Sequence, residues 1–293
     1  MGAVLLAVVG ACSRTPSPAP EPASNPTERP ADQRPATPSP AGRTANMPSG
    51  SIAFTYAAGS AQYVITTRAV VTAPDSAHLP PDSVLTEAVV SLDYTPAVGA
   101  GGIATVRGTV DSFAVSRTGT VTNVPQTIRA PVAFEAELRA GQPLVLRPAP
   151  AADCTDPAAS LALGIVQEVL ISAPALLTEW NDTVESTTCR AGLPITTVVQ
   201  RRHARGEFAS DAVRGAGATV RREFDVSLRG GATVRRQAVE VSGTGRGSGT
   251  IHFSSATGRL TLVTTTSESE ITIRGGDRSQ RFVQRVEQTI RLR

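Results

Sequence analysis

Residues 271–292 read ITIRGGDRSQRFVQRVEQTIRL. Ile271 and Ile273 alternate with polar residues and stop at Gly275-Gly276-Asp277, a turn. Beyond the turn, Phe282, Val286, Ile290 and Leu292 fall on one face of a second strand, with Arg285, Glu287 and Arg291 on the other. Successive strand side chains point to opposite sides, so this pattern predicts an antiparallel sheet covered on one face only.

The same texture runs back toward the N-terminus. Ile251 and Phe253 lead to Ala256-Thr257-Gly258, then to Leu260 and Leu262. Phe224, Val226 and Leu228 alternate before Gly230-Gly231, which reads as a turn. Val239 and Val241 precede Gly243, Gly245, Gly247 and Gly249, which read as a flexible hairpin turn. A phosphate-cradling loop would need a helix after such glycines, and a strand follows them here. Upstream, Phe134, Ala136 and Leu138 lead into Ala140-Gly141-Gln142 and then Leu144 and Leu146; Leu92 with Tyr94, Tyr63 with Ile65, and Ile52, Phe54 and Tyr56 continue the alternation. Turns roughly ten residues apart predict a mainly β fold, an antiparallel meander forming a curved sheet, barrel or half-barrel.

One segment departs from period two. Asp156 suits a helix cap and Pro157 the first helical position. Leu161, Leu163, Ile165, Val166, Val169, Leu170 and Ile171 then surround a helix on nearly every side. A helix apolar all round must be buried, so the insert at about 156–180 is expected to cover the apolar face of the sheet as a lid or plug. Pro174 disfavours helix at the residue before it.

At the N-terminus, residues 3–9 form an apolar run too short to span a bilayer, which needs about 20 residues. Val9-Gly10-Ala11-Cys12 resembles the bacterial lipobox. The resemblance implies a signal peptide over 1–11, removed on export, and a diacylglycerol on the sulfur of Cys12. No positive charge precedes the apolar run, so the reading frame is expected to open a few codons further upstream. Residues 13–50 hold ten of the 22 prolines and almost no aliphatic surface. Such a segment cannot offset its ordering entropy, so 12–50 reads as a disordered, lipid-anchored tether and 51–293 as one β-rich domain. With Cys12 lipidated, Cys154 and Cys189 remain as an even pair in an exported chain. A disulfide between them would clamp the helical insert and contribute about 4 kcal/mol in the chain-entropy model.

Composition narrows the chemistry. The 293 residues carry 28 basic side chains, all of them arginine, against 25 acidic ones, a net charge of +3. Lysine chemistry is excluded, and the balance is too even for a nucleic-acid binder. His78, His203 and His252 are scattered, without HExxH or a neighbouring cysteine pair, and read as surface or strand residues. No metal site, cofactor, Gly-x-Ser-x-Gly elbow or other catalytic motif is legible, so the chain is expected not to be an enzyme. The residual catalytic option is a site assembled from carboxylates near the disulfide, Asp153, Asp156 and Asp182, two of which look like cap or turn residues. Charge is unevenly split. Residues 51–194 hold 7 Arg and 13 acids, and residues 195–293 hold 17 Arg and 9 acids, so the halves are expected to attract each other within one fold.

Three arginine pairs, Arg201-Arg202, Arg221-Arg222 and Arg235-Arg236, would each place one guanidinium on the apolar face of a strand. Arg222 shares parity with Phe224, Val226 and Leu228. Arg222, Phe224 and the single tryptophan, Trp180, are therefore the candidate ligand contacts, the arginines gripping an acidic head group. The plainer alternatives are arginines paired with Glu or Asp and a tryptophan anchored in the core.

A lipobox, a proline-rich tether and a strand meander broken by one apolar helix together resemble the half-barrel lipoproteins and lipid carriers of the bacterial envelope. That class includes the lipoprotein localisation carrier and receptor. The resemblance implies a membrane-anchored protein of the bacterial cell envelope that binds a lipid or other hydrophobic molecule in a concave apolar face. The alternative is a non-catalytic scaffold lipoprotein with a filled core and an envelope protein partner. Ser13 after Cys12 is unlike the aspartate signal for inner-membrane retention, which points to the outer membrane, facing the periplasm or the cell surface. Replacing Cys12 with alanine is expected to abolish incorporation of radiolabelled fatty acid and to move the protein from the membrane to the soluble fraction.

Overall fold

The computed structural model describes residues 58–75, 81–95, 104–118, 126–138, 144–148, 154–170, 178–190, 192–211, 215–234, 237–254 and 256–293. Cys12, the expected tether and signal segment, His78, Asp153, the pair Arg235-Arg236 and the expected strand at Ile52–Tyr56 lie outside the described residues.

Strands β1 (Gly59–Thr72), β2 (Asp82–Thr95), β3 (Ala104–Thr118), β4 (Gln126–Thr127), β5 (Val132–Leu138) and β6 (Val145–Arg147) precede the helix α1 (Pro157–Val169). Strands β7 (Glu179–Arg190), β8 (Leu193–Asp211), β9 (Gly215–Val234), β10 (Gln237–Ser254), β11 (Leu260–Gly275) and β12 (Arg278–Leu292) follow it. These strands form one antiparallel sheet in the order β6-β5-β3-β2-β1-β12-β11-β10-β9-β8-β7, with β4 paired to β3. The sheet curls through about 280° into a half-barrel, as the alternation predicts. Its middle is the pairing of the first strand with the last, from Tyr63 opposite Leu292 to Thr72 opposite Val283. Its two edges, β6 and β7, are therefore close in sequence and are joined by the segment that carries α1.

That helix forms for local reasons. Asp156 accepts a hydrogen bond from the Ala159 amide at 3.0 Å, and Pro157 opens the first turn. Its apolar residues are buried on all sides, as a helix without a polar face requires. It lies along β7, where Ser160 Oγ accepts the Cys189 amide at 3.1 Å and Gly164 allows the Thr188 methyl to approach. It also reaches β3 and β5 at the other end of the sheet. An unpaired strand edge is a hazard unless covered. Here α1 covers one edge, and β6 at the other is only three residues long and ends at Pro148. The Cys154–Cys189 disulfide, expected from cysteine parity, ties the approach to α1 to the far end of β7.

Two expected turns are strand interiors instead. Gly230-Gly231 lies within β9, and Gly243, Gly245, Gly247 and Gly249 lie within β10. The true turns carry Gly258 and Gly276 at positive φ, as expected for Ala256-Thr257-Gly258 and Gly275-Gly276-Asp277. The four alternating glycines share the inward face of β10 with Val241, Ile251 and Phe253. Their neighbours occupy the vacated space: a Cβ on Gly247 would overlap the Phe224 ring and the Thr266 carbonyl. Period two in glycine therefore marks one bare face of a strand, over which side chains of adjacent strands lean where the sheet curls.

The inner face divides into layers. One apolar cluster joins α1 to Tyr63, Ile65, Leu92, Phe113, Phe134, Ile251, Leu260 and Ile290. A second contains Val71, Leu193, Ile195, Leu228, Val241, Ile271, Ile273 and Phe282, and no residue of α1. Between them run buried polar side chains, including Thr67, Gln288, Thr265, Arg201 and Arg222. On the outer face, Asp225, Arg246, Glu268 and Arg285 stand opposite one another on adjacent strands, with Arg285 Nε 2.7 Å from Glu268. Replacing Gly247 with valine is expected to destabilise the fold by about 1–3 kcal/mol through overpacking. The exposed neighbour Ser248→Ala is expected to stay within about 0.5 kcal/mol, both read from urea-unfolding midpoints.

Candidate functional site

The densest chemistry on the inner face lies where α1 meets β7, β8 and β9. Strand pairing places Trp180 opposite His203, Asp182 opposite Arg201, and His203 opposite Arg222. Residues directly opposite share a face, so these five residues of three strands converge although most are distant in sequence. Arg222, 2% exposed, directs Nη1 to Glu168 Oε2 of α1 at 3.4 Å. Its guanidinium also lies 5.6 Å from the Phe224 ring centroid. Arg201 grips Asp182 with two donors, Nε at 2.5 Å and Nη2 at 2.8 Å. His203 Nε2 lies 3.4 Å from Asp182 Oδ2, the oxygen that also accepts from Arg201 Nη2, and its ring stacks on Trp180 at 4.7 Å and 7°.

Of the three candidates for ligand contact, all belong to this region. Arg222 does stand on the apolar face, as strand parity requires, but Glu168 already engages it. Phe224 lies under that guanidinium and over the glycine stripe. Trp180 packs in the cluster around α1, with its indole N–H buried and unpartnered. The carboxylates near the disulfide do not converge: Asp156 caps the helix, and Asp182 serves the arginine. Among the described residues, no group of three or more His, Cys, Asp or Glu side chains is arranged to hold a metal ion.

His203, Glu168 and Arg201 come into the site through pairing and packing. His203 lies on a strand, as expected, yet it is buried rather than at the surface. The signal available in the sequence is parity alone: Arg201 and His203 continue the inward series of Ile195 and Val199 along β8. Charged groups of the two halves meet here, as the uneven split of charge led one to expect. Arg222, Arg201 and His203 from the C-terminal half meet Glu168 and Asp182 from the N-terminal half.

Burial opposes the charged forms of Asp182, Glu168, His203 and Arg222. It raises the Asp182 carboxyl, but His203 and Arg201 outweigh it and hold the group at about 2. Burial raises Glu168 as well, against the opposing pull of Arg222 and Arg201. The His203 imidazole is pushed below its ordinary value by burial, with Arg201 and Arg222 acting in the same sense and Asp182 against it. At neutral pH the arrangement is two carboxylate–guanidinium pairs flanking a neutral imidazole. Such a set can lock α1 to the strands in one register, since each partner is costly to strand without the other.

Two depressions, of about 710 and 620 Å³, lie on the outer face over the glycine stripe, lined by Glu223, Asp225, Arg246 and Glu268 among others. They are troughs between paired charges rather than an apolar cavity. No protein-family model matches this chain, and no curated protein matches it by sequence. What the fold defines is an antiparallel half-barrel with one helix seated between its edges.

The pH dependence of stability follows with its sign. A neutral buried histidine means that the unfolded chain binds the extra proton first, so stability falls as the pH drops below about 6.5. Asp182, depressed in the fold, contributes stability that is complete above its unfolded value. That part, about 2 kcal/mol, is lost as the pH falls from about 4 to about 2. Urea midpoints measured against pH are expected to show both declines. His203→Gln should remove the first and Asp182→Asn the second.

Proposed function

We propose that this chain is a lipid-anchored protein of the bacterial cell envelope. Its half-barrel holds a hydrophobic or amphiphilic molecule against the concave face, with α1 as the plug. The observation that carries the reading is the curl of the open sheet, which makes its apolar side concave, with a second apolar cluster on β1 and β8–β12 to which α1 contributes nothing. Its members are at most 8% exposed in the ligand-free fold, so a ligand would enter by displacing side chains of this end, and the gain would come from its own apolar surface, at roughly 25 cal/mol per Å² removed from water. The lipobox-like Val9-Gly10-Ala11-Cys12 supports the address, and the role is binding rather than catalysis.

A second reading has its own support. The helix is buried almost completely, and with the first cluster it fills one end of the half-barrel. That favours a scaffold lipoprotein with a packed interior, acting through an envelope protein partner.

Native mass spectrometry of the full chain, released from a neutral detergent, separates the two. The ligand-binding reading expects a non-covalent adduct of lipid mass beyond the covalent anchor, lost on organic extraction and restored by palmitate. A mass free of adduct, with no uptake of palmitate or phospholipid, would leave the scaffold reading in its place.

A further inference from the structure

His203 is a buried titratable side chain on a seam between two bodies. On one side, β7 is an end strand of the sheet and, among the described strands, pairs only with β8. The helix α1 is fastened to β7 by the Cys154–Cys189 disulfide and by the hydrogen bond from the Cys189 amide to Ser160 Oγ. On the other side lie β8 and β9. Charge is sorted across this seam. Asp182 and Glu168 stand on β7 and α1, whereas Arg201, His203 and Arg222 stand on β8 and β9.

A second proton on the His203 ring is poorly placed in this fold. The side chain is fully buried, and Trp180 stacks against it. The charged groups around it are Asp182 from β7, Arg222 directly opposite on β9, Arg201 and Arg205 on the same side of β8, and, through Arg222, Glu168 from α1. Both carboxylate oxygens of Asp182 already accept from Arg201, and Glu168 engages Arg222. His203 Nδ1 is buried with no acceptor among the described residues. An imidazolium here is a third buried cation for two carboxylates, with a guanidinium directly opposite it. Asp182 draws the proton in, but burial, with Arg201 and Arg222 adding to it, outweighs that pull and holds the imidazole below its ordinary value.

We propose that His203 is an acid-operated release for α1 and β7. Protonation favours an opening in which these two elements lift together from β8 and β9 and let water reach the imidazolium, while the rest of the sheet keeps its pairing. The topology makes this the shortest way to expose the ring. Strands β8 and β9 each have two strand neighbours, whereas β7 has one. The disulfide obliges the start of α1 to follow the end of β7. The opening uncovers the apolar cluster that α1 shares with Tyr63 and Ile65. The interior is thereby closed at neutral pH and accessible in acid, whether the half-barrel serves a ligand or a protein partner.

The test is hydrogen exchange of the full chain with its disulfide intact, read by mass spectrometry at about pH 7.5 and about pH 5.5 and corrected for the intrinsic rate. A state that exposes the ring gains about tenfold in population over that interval, because it binds one more proton below about 6.5. Amides of α1 and β7 are therefore expected to lose protection together by about tenfold. At both pH values they should be about tenfold or more less protected than those of β11 and β12. His203→Gln should abolish the loss in α1 and β7. Protection of α1 and β7 equal to that of β11 and β12 overturns the release, since only global unfolding would then free them. Low protection that does not change with pH overturns the role of His203. Should His203→Gln fail to fold, the imidazole resonances of the wild-type protein decide: a His203 midpoint below about 6.5 supports the release, and one at or above it overturns it.

Discussion

The pairing of β1 with β12 is the constraint on which the rest depends. Without it the chain would be two separate meanders, each with exposed edges. With it, residues more than two hundred positions apart become neighbours, and all the strands join one curled sheet. The consequence is topological. Among the described strands, the two ends of the sheet order, β6 and β7, are the strands that flank α1 in sequence. A helix tethered on both sides to the two lips of an open sheet has few places to go, and its apolar surface seats it between them. The disulfide then fixes its start against β7, and the Ser160–Cys189 hydrogen bond satisfies an edge amide that would otherwise face solvent.

Charge is handled differently on the two faces. Outside, arginines and acids alternate across strands in wet, high-dielectric surroundings, where each pair is worth little. Inside, the same residue types meet away from water, where each pair is costly to form and more costly to break. The inner pairs tie α1 to β9 and β7 to β8, so their contribution is to the register and placement of the insert. Arginine suits both settings because its charge persists on burial and its fork can grip a carboxylate with two donors, as Arg201 does with Asp182.

Much of this was legible from alternation. The apolar and charged faces of β12, the helix cap at Asp156 and the inward placement of Arg222 follow from spacing alone. The glycines of β10 were not legible. Glycine is the common residue of turns, and a one-strand view cannot see that Phe224 and Ser269 occupy the space that their missing side chains leave. His203 was equally hidden. Its partners are Trp180 and Asp182 on the neighbouring strand and Arg222 on the next, and no local motif connects them.

The sequence by itself determined the strand-rich class, the sidedness of the alternating strands, the buried character of α1 and the parity that pairs Cys154 with Cys189. These are properties of period and count, which neighbouring residues encode. Only the tertiary structure decided that the first strand closes on the last, that the insert sits between the two edges, and which arginines are neutralised. Those outcomes depend on register between distant strands: a slip of one residue turns every side chain to the other face. The local pattern fixes which face is apolar, and the long-range pairing fixes what that face meets.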